Sequence, residues 1–173
     1  MLRYHQKTLD LLGITPKFSD EAARLLHLFE LDLHVTLPVA FKEWYSLANG
    51  VEILQEWTND HPVPLFKLAT EHNSYQDGPF LTFIIENQGV CSWGLKLDIN
   101  RSGPAPTQIP LPLPDADAFH EKMRQQIENP PVYMRMNMER ADWVKCADSL
   151  SEFLYSEISF YRNYILAHQR EEN

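Results

Sequence analysis

No stretch of this chain approaches the roughly 20 consecutive apolar residues that a membrane-spanning helix needs, so no spanning segment is expected. Its start, Met1-Leu2-Arg3-Tyr4-His5-Gln6-Lys7, carries bases but neither an apolar segment nor a small-residue cleavage site. No signal peptide is expected, and the cytoplasm is the expected location. Cysteine is scarce, Cys91 and Cys146 being the only two. Each lies in an apolar stretch, so two buried thiols are expected; a disulfide is allowed but unneeded at this length. Only six glycines are present, and none sets up a phosphate-cradling loop. Basic residues are outnumbered, 15 against 24 acids, for a net charge of -9. That balance disfavours nonspecific nucleic-acid binding, in which lysine and arginine must replace phosphate counterions, and docking on an anionic membrane.

Catalytic and metal signatures are missing too. There is no His-Glu-x-x-His, Cys-x-x-Cys or His-x-His pattern. His27 and His34 are embedded among Leu28, Phe29 and Leu31, and the adjacent pair Glu71-His72 points its side chains apart on most backbones. No metal and no cofactor are expected. A nucleophile elbow of the Gly-x-Ser-x-Gly kind is absent, and Cys91 falls within an alternating strand pattern, where an inert thiol is the stronger reading. An enzyme would have to be built from groups such as Glu71, His72 and Cys91. A noncatalytic, protein-binding role is expected instead.

The charge that is present is unevenly placed. Between Glu43 and Leu95 stand Glu43, Glu52, Glu56, Asp60, Glu71, Asp77 and Glu86, against Lys67 as the one base. Such a stretch is either a solvated surface that keeps the chain soluble or a docking face for a basic protein. Trp57 sits inside it: an interface anchor if exposed, core if buried, with core favoured. The candidate partner-binding residues are Glu52, Glu56, Trp57, Asp60 and Glu86.

Periodicity places the elements. A short helix is expected within residues 4–12. A second follows the cap Ser19 or Asp20, with Ala22, Leu25, Leu26 and Phe29 as its apolar stripe. A third covers residues 37–50, opened by Pro38, packed through Phe41, Trp44, Tyr45 and Ala48, and stopped by Gly50 in a left-handed conformation. Val51, Ile53, Gln55 and Trp57 then alternate with Glu52, Leu54 and Glu56, which predicts a strand; residues 63–68 predict another. Residues 80–98 read as a hairpin around Asn87-Gln88-Gly89; a three-residue loop would set Phe83 opposite Trp93 and Ile85 opposite Cys91, and a two-residue loop would shift this register. Trp44 and Trp93 fall on core faces, and Trp143 is expected to pack.

Residues 101–114 are proline-rich, which excludes a helix or central strand; a connector is expected, an extended partner-binding segment being the alternative. Residues 115–128 predict a helix capped by Asp115, with Phe119, Met123 and Ile127 on one face. Strands are expected at 132–136 and 142–147. A final helix starts at Ser149 with a Ser149/Glu152 capping box and carries Leu150, Phe153, Leu154, Ile158, Tyr161 and Ile165 inward. The order predicts one α+β domain over residues 1–173: a mostly antiparallel sheet with N-terminal and C-terminal helices packed on it.

Four segments in this order, LPVAFKEWYSLANG (37–50), ENQGVCSWGLKLD (86–98), PPVYMR (130–135) and SLSEFL (149–154), resemble the SUKH superfamily. The likeness spans roughly residues 19–165; the stretch between Asp98 and Pro130 is longer than is usual there, which marks a probable insertion at 99–129. The resemblance implies a noncatalytic α+β domain with no catalytic residues to carry over. Many bacterial members are similar to immunity proteins that neutralise a polymorphic or contact-dependent toxin, often a nuclease. Fungal members look like regulatory scaffolds. The implied partner is a protein, a basic toxin domain in the first case and a cellular protein in the second.

Overall fold

The computed structural model describes residues 2–97, 121, 124–138 and 141–171. The helix α1 (Gln6–Leu12) is followed by α2 (Asp20–Leu33), α3 (Val39–Tyr45), α4 (Gly50–Thr58), β1 (His61–Pro62) and α5 (Leu65–Glu71). A 3-10 turn (His72–Ser74) leads to β2 (Gln76–Asp77), β3 (Phe80–Ile85) and β4 (Cys91–Lys96). Residues 124–128 form the end of a helix, α6, and then come β5 (Val132–Met136), β6 (Val144–Ala147) and α7 (Leu150–Glu171). The six strands pair antiparallel in the order β1-β3-β4-β5-β6, with β2 beside β1 on the same edge of β3. The fold is therefore α+β, as the element order predicts. Most of the expected helix at 115–128, with Phe119 and Met123, lies outside the described residues, as does the proline-rich stretch; Ile127 is exposed.

One face of the sheet carries the core. Phe83 meets Phe41 of α3 and Phe153 of α7 edge-on, with ring centroids 6.5 and 6.1 Å away, and Trp93 leans on Phe153 at 5.9 Å. The opposite face has an aromatic layer of its own. Trp143 stacks on Phe80 at 4.9 Å and donates its indole N–H to Asp77 Oδ2 at 2.8 Å. It lies directly over Gly94, where a Cβ would come within 2.7 Å of the indole, so the missing side chain in β4 is what admits the ring. Asp77 also pairs with Arg135.

The N-terminus is tied down by a residue that the sequence places in the acidic stretch. The Glu43 carboxylate accepts the backbone N–H groups of Arg3, Tyr4 and His5, each at 2.9 Å. His5 is fully buried, its Nε2 at 2.8 Å from the Ala40 carbonyl and its ring against Trp44 at 5.0 Å. Burial pushes its pKa below the ordinary histidine value, more than Ala40 and Glu43 pull it up. Glu43 and Asp77 are therefore structural anchors and are spent inside the fold.

Several sequence expectations fail in instructive ways. Residues 50–58 are a helix, not a strand. Leu54 decides it: alternation would turn it outward, yet it is completely buried, and Gly50, Ile53, Leu54 and Trp57 follow helical spacing. Gly50 does not stop α3 in a left-handed conformation. α3 ends at Tyr45, and Gly50 opens α4, where a Cβ would stand 2.5 Å from the Trp44 carbonyl oxygen while the Trp44 indole donates to the Gly50 carbonyl at 3.0 Å. Residues 65–71 are helical, Leu65 and Leu68 facing inward behind Pro64. In the hairpin, Glu86 N–H donates to the Cys91 carbonyl, so the loop holds residues 87–90 and Trp93 faces Ile84. Cys146 is exposed in β6, against the expectation of a buried thiol, and Cys91 is buried; both are free.

Alanine inside a helix ordinarily exceeds glycine in stability by about 1 kcal/mol. Gly50→Ala is expected to do the reverse and cost about 1–3 kcal/mol in urea denaturation, because the new methyl meets backbone that cannot yield. An unchanged or raised midpoint would show that α3 and α4 are not locked at this contact.

Candidate functional site

α4 presents its polar side to solvent because its apolar side is taken by the core. Glu52 and Glu56, one turn apart, are exposed, while Trp57 is half-buried against the hydrophobic core. The helix ends with Asn59 in the left-handed conformation (φ 60°), which turns the chain into β1. Because His61 pairs with Ile85, the preceding Asp60 arrives beside the hairpin, and its Oδ1 accepts the Asn87 N–H at 3.2 Å. Glu86 closes β3, and its Oε2 accepts Gln88 N–H at 2.9 Å and Val90 N–H at 3.2 Å, holding the hairpin loop.

Strand pairing thus brings Asp60 and Glu86 together, and α7 adds Glu157. Burial pushes the Asp60 carboxyl up; the Asn87 N–H opposes this, the Glu86 charge adds to it, and His61 and Thr58 pull it down. Burial and then the Asp60 charge push Glu157 up. Cys91, beneath them in β4, is pushed up by burial and by the charges of Glu86, Asp60 and Glu157. Among the described residues none of these three carboxylates has an ion-pair partner. Glu52 and Glu56 stand apart on α4, with no hydrogen bond joining them to the cluster. Glu157 was missed from sequence: on the periodic stripe of α7 it falls next to the buried Ile158 and reads as an ordinary flanking charge.

The other groups singled out by sequence are not assembled. His72 turns to Asp32 of α2, Nδ1 to Oδ2 at 3.2 Å, whereas the charged neighbours of Cys91 are carboxylates. A thiol held protonated by burial and negative neighbours is the opposite of an activated nucleophile. His27 and His34 line a groove of about 700 Å³ with Lys42 and Lys96. Among the described residues no group of three or more His, Cys, Asp or Glu side chains is placed to hold a metal ion. No helix among them is long and apolar enough to cross a membrane.

The raised carboxyl pKa values carry a stability consequence. Asp60 and Glu157 keep their protons to higher pH when folded than when unfolded, so stability falls as pH rises from the ordinary carboxylate range through the raised values. The deficit persists at neutral pH. Glu157→Gln is therefore expected to stabilise the chain at pH 7 by about 0.5 kcal/mol, a modest figure because water screens its exposed side, and to lose that advantage near pH 4. A variant no more stable than wild type in neutral urea titrations would show the cluster to be unstrained.

No family model, curated protein or solved structure matches this chain.

Proposed function

We propose that this chain is a noncatalytic protein-binding domain of the SUKH kind, acting in the cytoplasm as an immunity protein that binds and neutralises a basic toxin domain. The observation that carries the reading is the grouping of Asp60, Glu86 and Glu157, which form no ion pair among the described residues, near a helix whose outer face bears Glu52 and Glu56. Charges of one sign held together cost stability unless something else compensates them. A lysine or arginine presented by a partner would do so, and complementary charge speeds encounter and rejects wrong partners. Half-buried Trp57 adds an aromatic edge of the kind that anchors interfaces. The motif order supports the same reading: the Asn49-Gly50 junction, the Glu86–Gly89 hairpin and the Ser149 cap each occupy a joint of the fold.

Co-expression with the C-terminal domain of a toxin-like protein encoded beside it tests this. Growth rescue with a stable one-to-one complex is the expected result. No rescue and no binding would instead favour the regulatory or scaffold role. Within such a complex, Glu52→Lys combined with Glu56→Lys leaves every described structural contact intact and is expected to slow association by about tenfold or more at low salt. Association at the wild-type rate would exclude this face.

A further inference from the structure

β6 is the last strand of the sheet. It pairs with β5 on one side, and among the described residues nothing pairs its other side. Its residues stand open to solvent, Val144 with 60% of its surface exposed. A bare strand edge is a row of backbone donors and acceptors ready for another extended chain, and natural proteins usually cover or blunt it. Here Lys145, paired with Asp148, discourages indiscriminate pairing, and no described residue pairs along the edge.

At the end of this strand opens a groove of about 560 Å³. Cys146 and Ala147 of β6 form one wall, α7 forms the other through Glu152, Tyr155 and Glu157, and Lys7 of α1 also lines it. A strand edge facing a helix across a groove is the arrangement in which an added strand can hydrogen-bond on one side and pack its side chains on the other. The groove has a sign as well. Lys7 sits over the Tyr155 ring at 3.9 Å, while Glu152 and Glu157 have no ion-pair partner among the described residues.

We infer that this groove takes an extended segment of a partner protein as an added β-strand along β6, with lysine or arginine side chains of that segment meeting Glu152 and Glu157. The inference goes beyond the reading above and shares only Glu157 with it; it stands on the sheet edge and its groove and requires no toxin. A second copy of the chain is a poorer occupant, because a net charge of -9 repels its own kind.

The test is an NMR titration of the full isotope-labelled chain with a blocked peptide of alternating valine and lysine. About six residues, at roughly 3.3 Å each, are enough to run the length of β6. Two control peptides accompany it: one with glutamate for lysine, and one N-methylated at alternate residues, which keeps the charge but cannot pair as a strand. The lysine peptide is expected to shift the amide signals of residues 144–147 and slow their exchange, with affinity about tenfold weaker for each control and for Glu157→Lys. Absence of shifts at residues 144–147 would overturn the inference. So would equal binding of the N-methylated peptide, which would mean charge contact without strand addition. Protection of this edge by concentration alone, without peptide, would give it to a second copy and overturn it as well.

Discussion

The irregularity in β3 between Thr82 and Ile84 turns two successive residues, Phe83 and Ile84, into the core, and the helical layer is arranged around it. The Phe83 carbonyl accepts the Val63 N–H at 2.8 Å and the buried Tyr45 hydroxyl at 3.2 Å. The same hydroxyl reaches the Val63 carbonyl at 3.1 Å. One residue of the sheet thus fixes α3, the chain leaving β1 and, through its ring, the start of α7. The Phe83 carbonyl already has the Val63 N–H as a partner, so the Tyr45 hydroxyl adds a second tie, from α3 to both sides of the β1–β3 junction. Burial pushes the Tyr45 hydroxyl far above its ordinary pKa, so it remains a donor.

The site inherits its geometry from that joint. β1 is only two residues long, and its pairing with Ile84 and Ile85 is what carries Asp60 to the hairpin that Glu86 closes. α7, seated on Phe83 and Trp93, brings Glu157 to the same place. The positive charge that this construction brings to Asp60 is that of His61, the next residue in the chain, which forms no ion pair with it. The cost, from burial first and mutual charge second, falls on the free protein. Glu43 and Asp77 show the contrast: each has several donors, and each holds the fold together.

Much of this was legible in the sequence because local chemistry and tertiary demand agree there. Ser19 caps α2 by accepting the Ala22 N–H, and Ser149 accepts the Glu152 N–H at the head of α7. The capping box closes through the Ser149 hydroxyl donating to the Glu152 carboxylate, at 3.1 Å, instead of through backbone on both sides. What could not be read was decided by packing between distant segments. Val51, Ile53 and Trp57 favour a strand by type, yet α7 and the Trp44 carbonyl fix them in a helix. Gly50 looks like a helix stop, but it is a point of close approach. Asp60, Glu52, Glu56 and Glu86 were identified by a run of acid along the chain, which says nothing of their grouping in space; the pairing of β1 with β3 separates the first and last from the other two and joins them to Glu157.

The claim on which the functional reading rests is that these carboxylates are charged, crowded and unpaired in the free protein. Carboxyl-carbon NMR titration of the isolated chain measures this directly. Asp60 and Glu157 are expected to titrate above the ordinary range for their types, and Glu157 to move back toward it when Asp60 is replaced by asparagine. Ordinary titration of both groups in the folded chain would mean that solvent or an internal cation already satisfies them, and the case for a docking site built on their charge would fail.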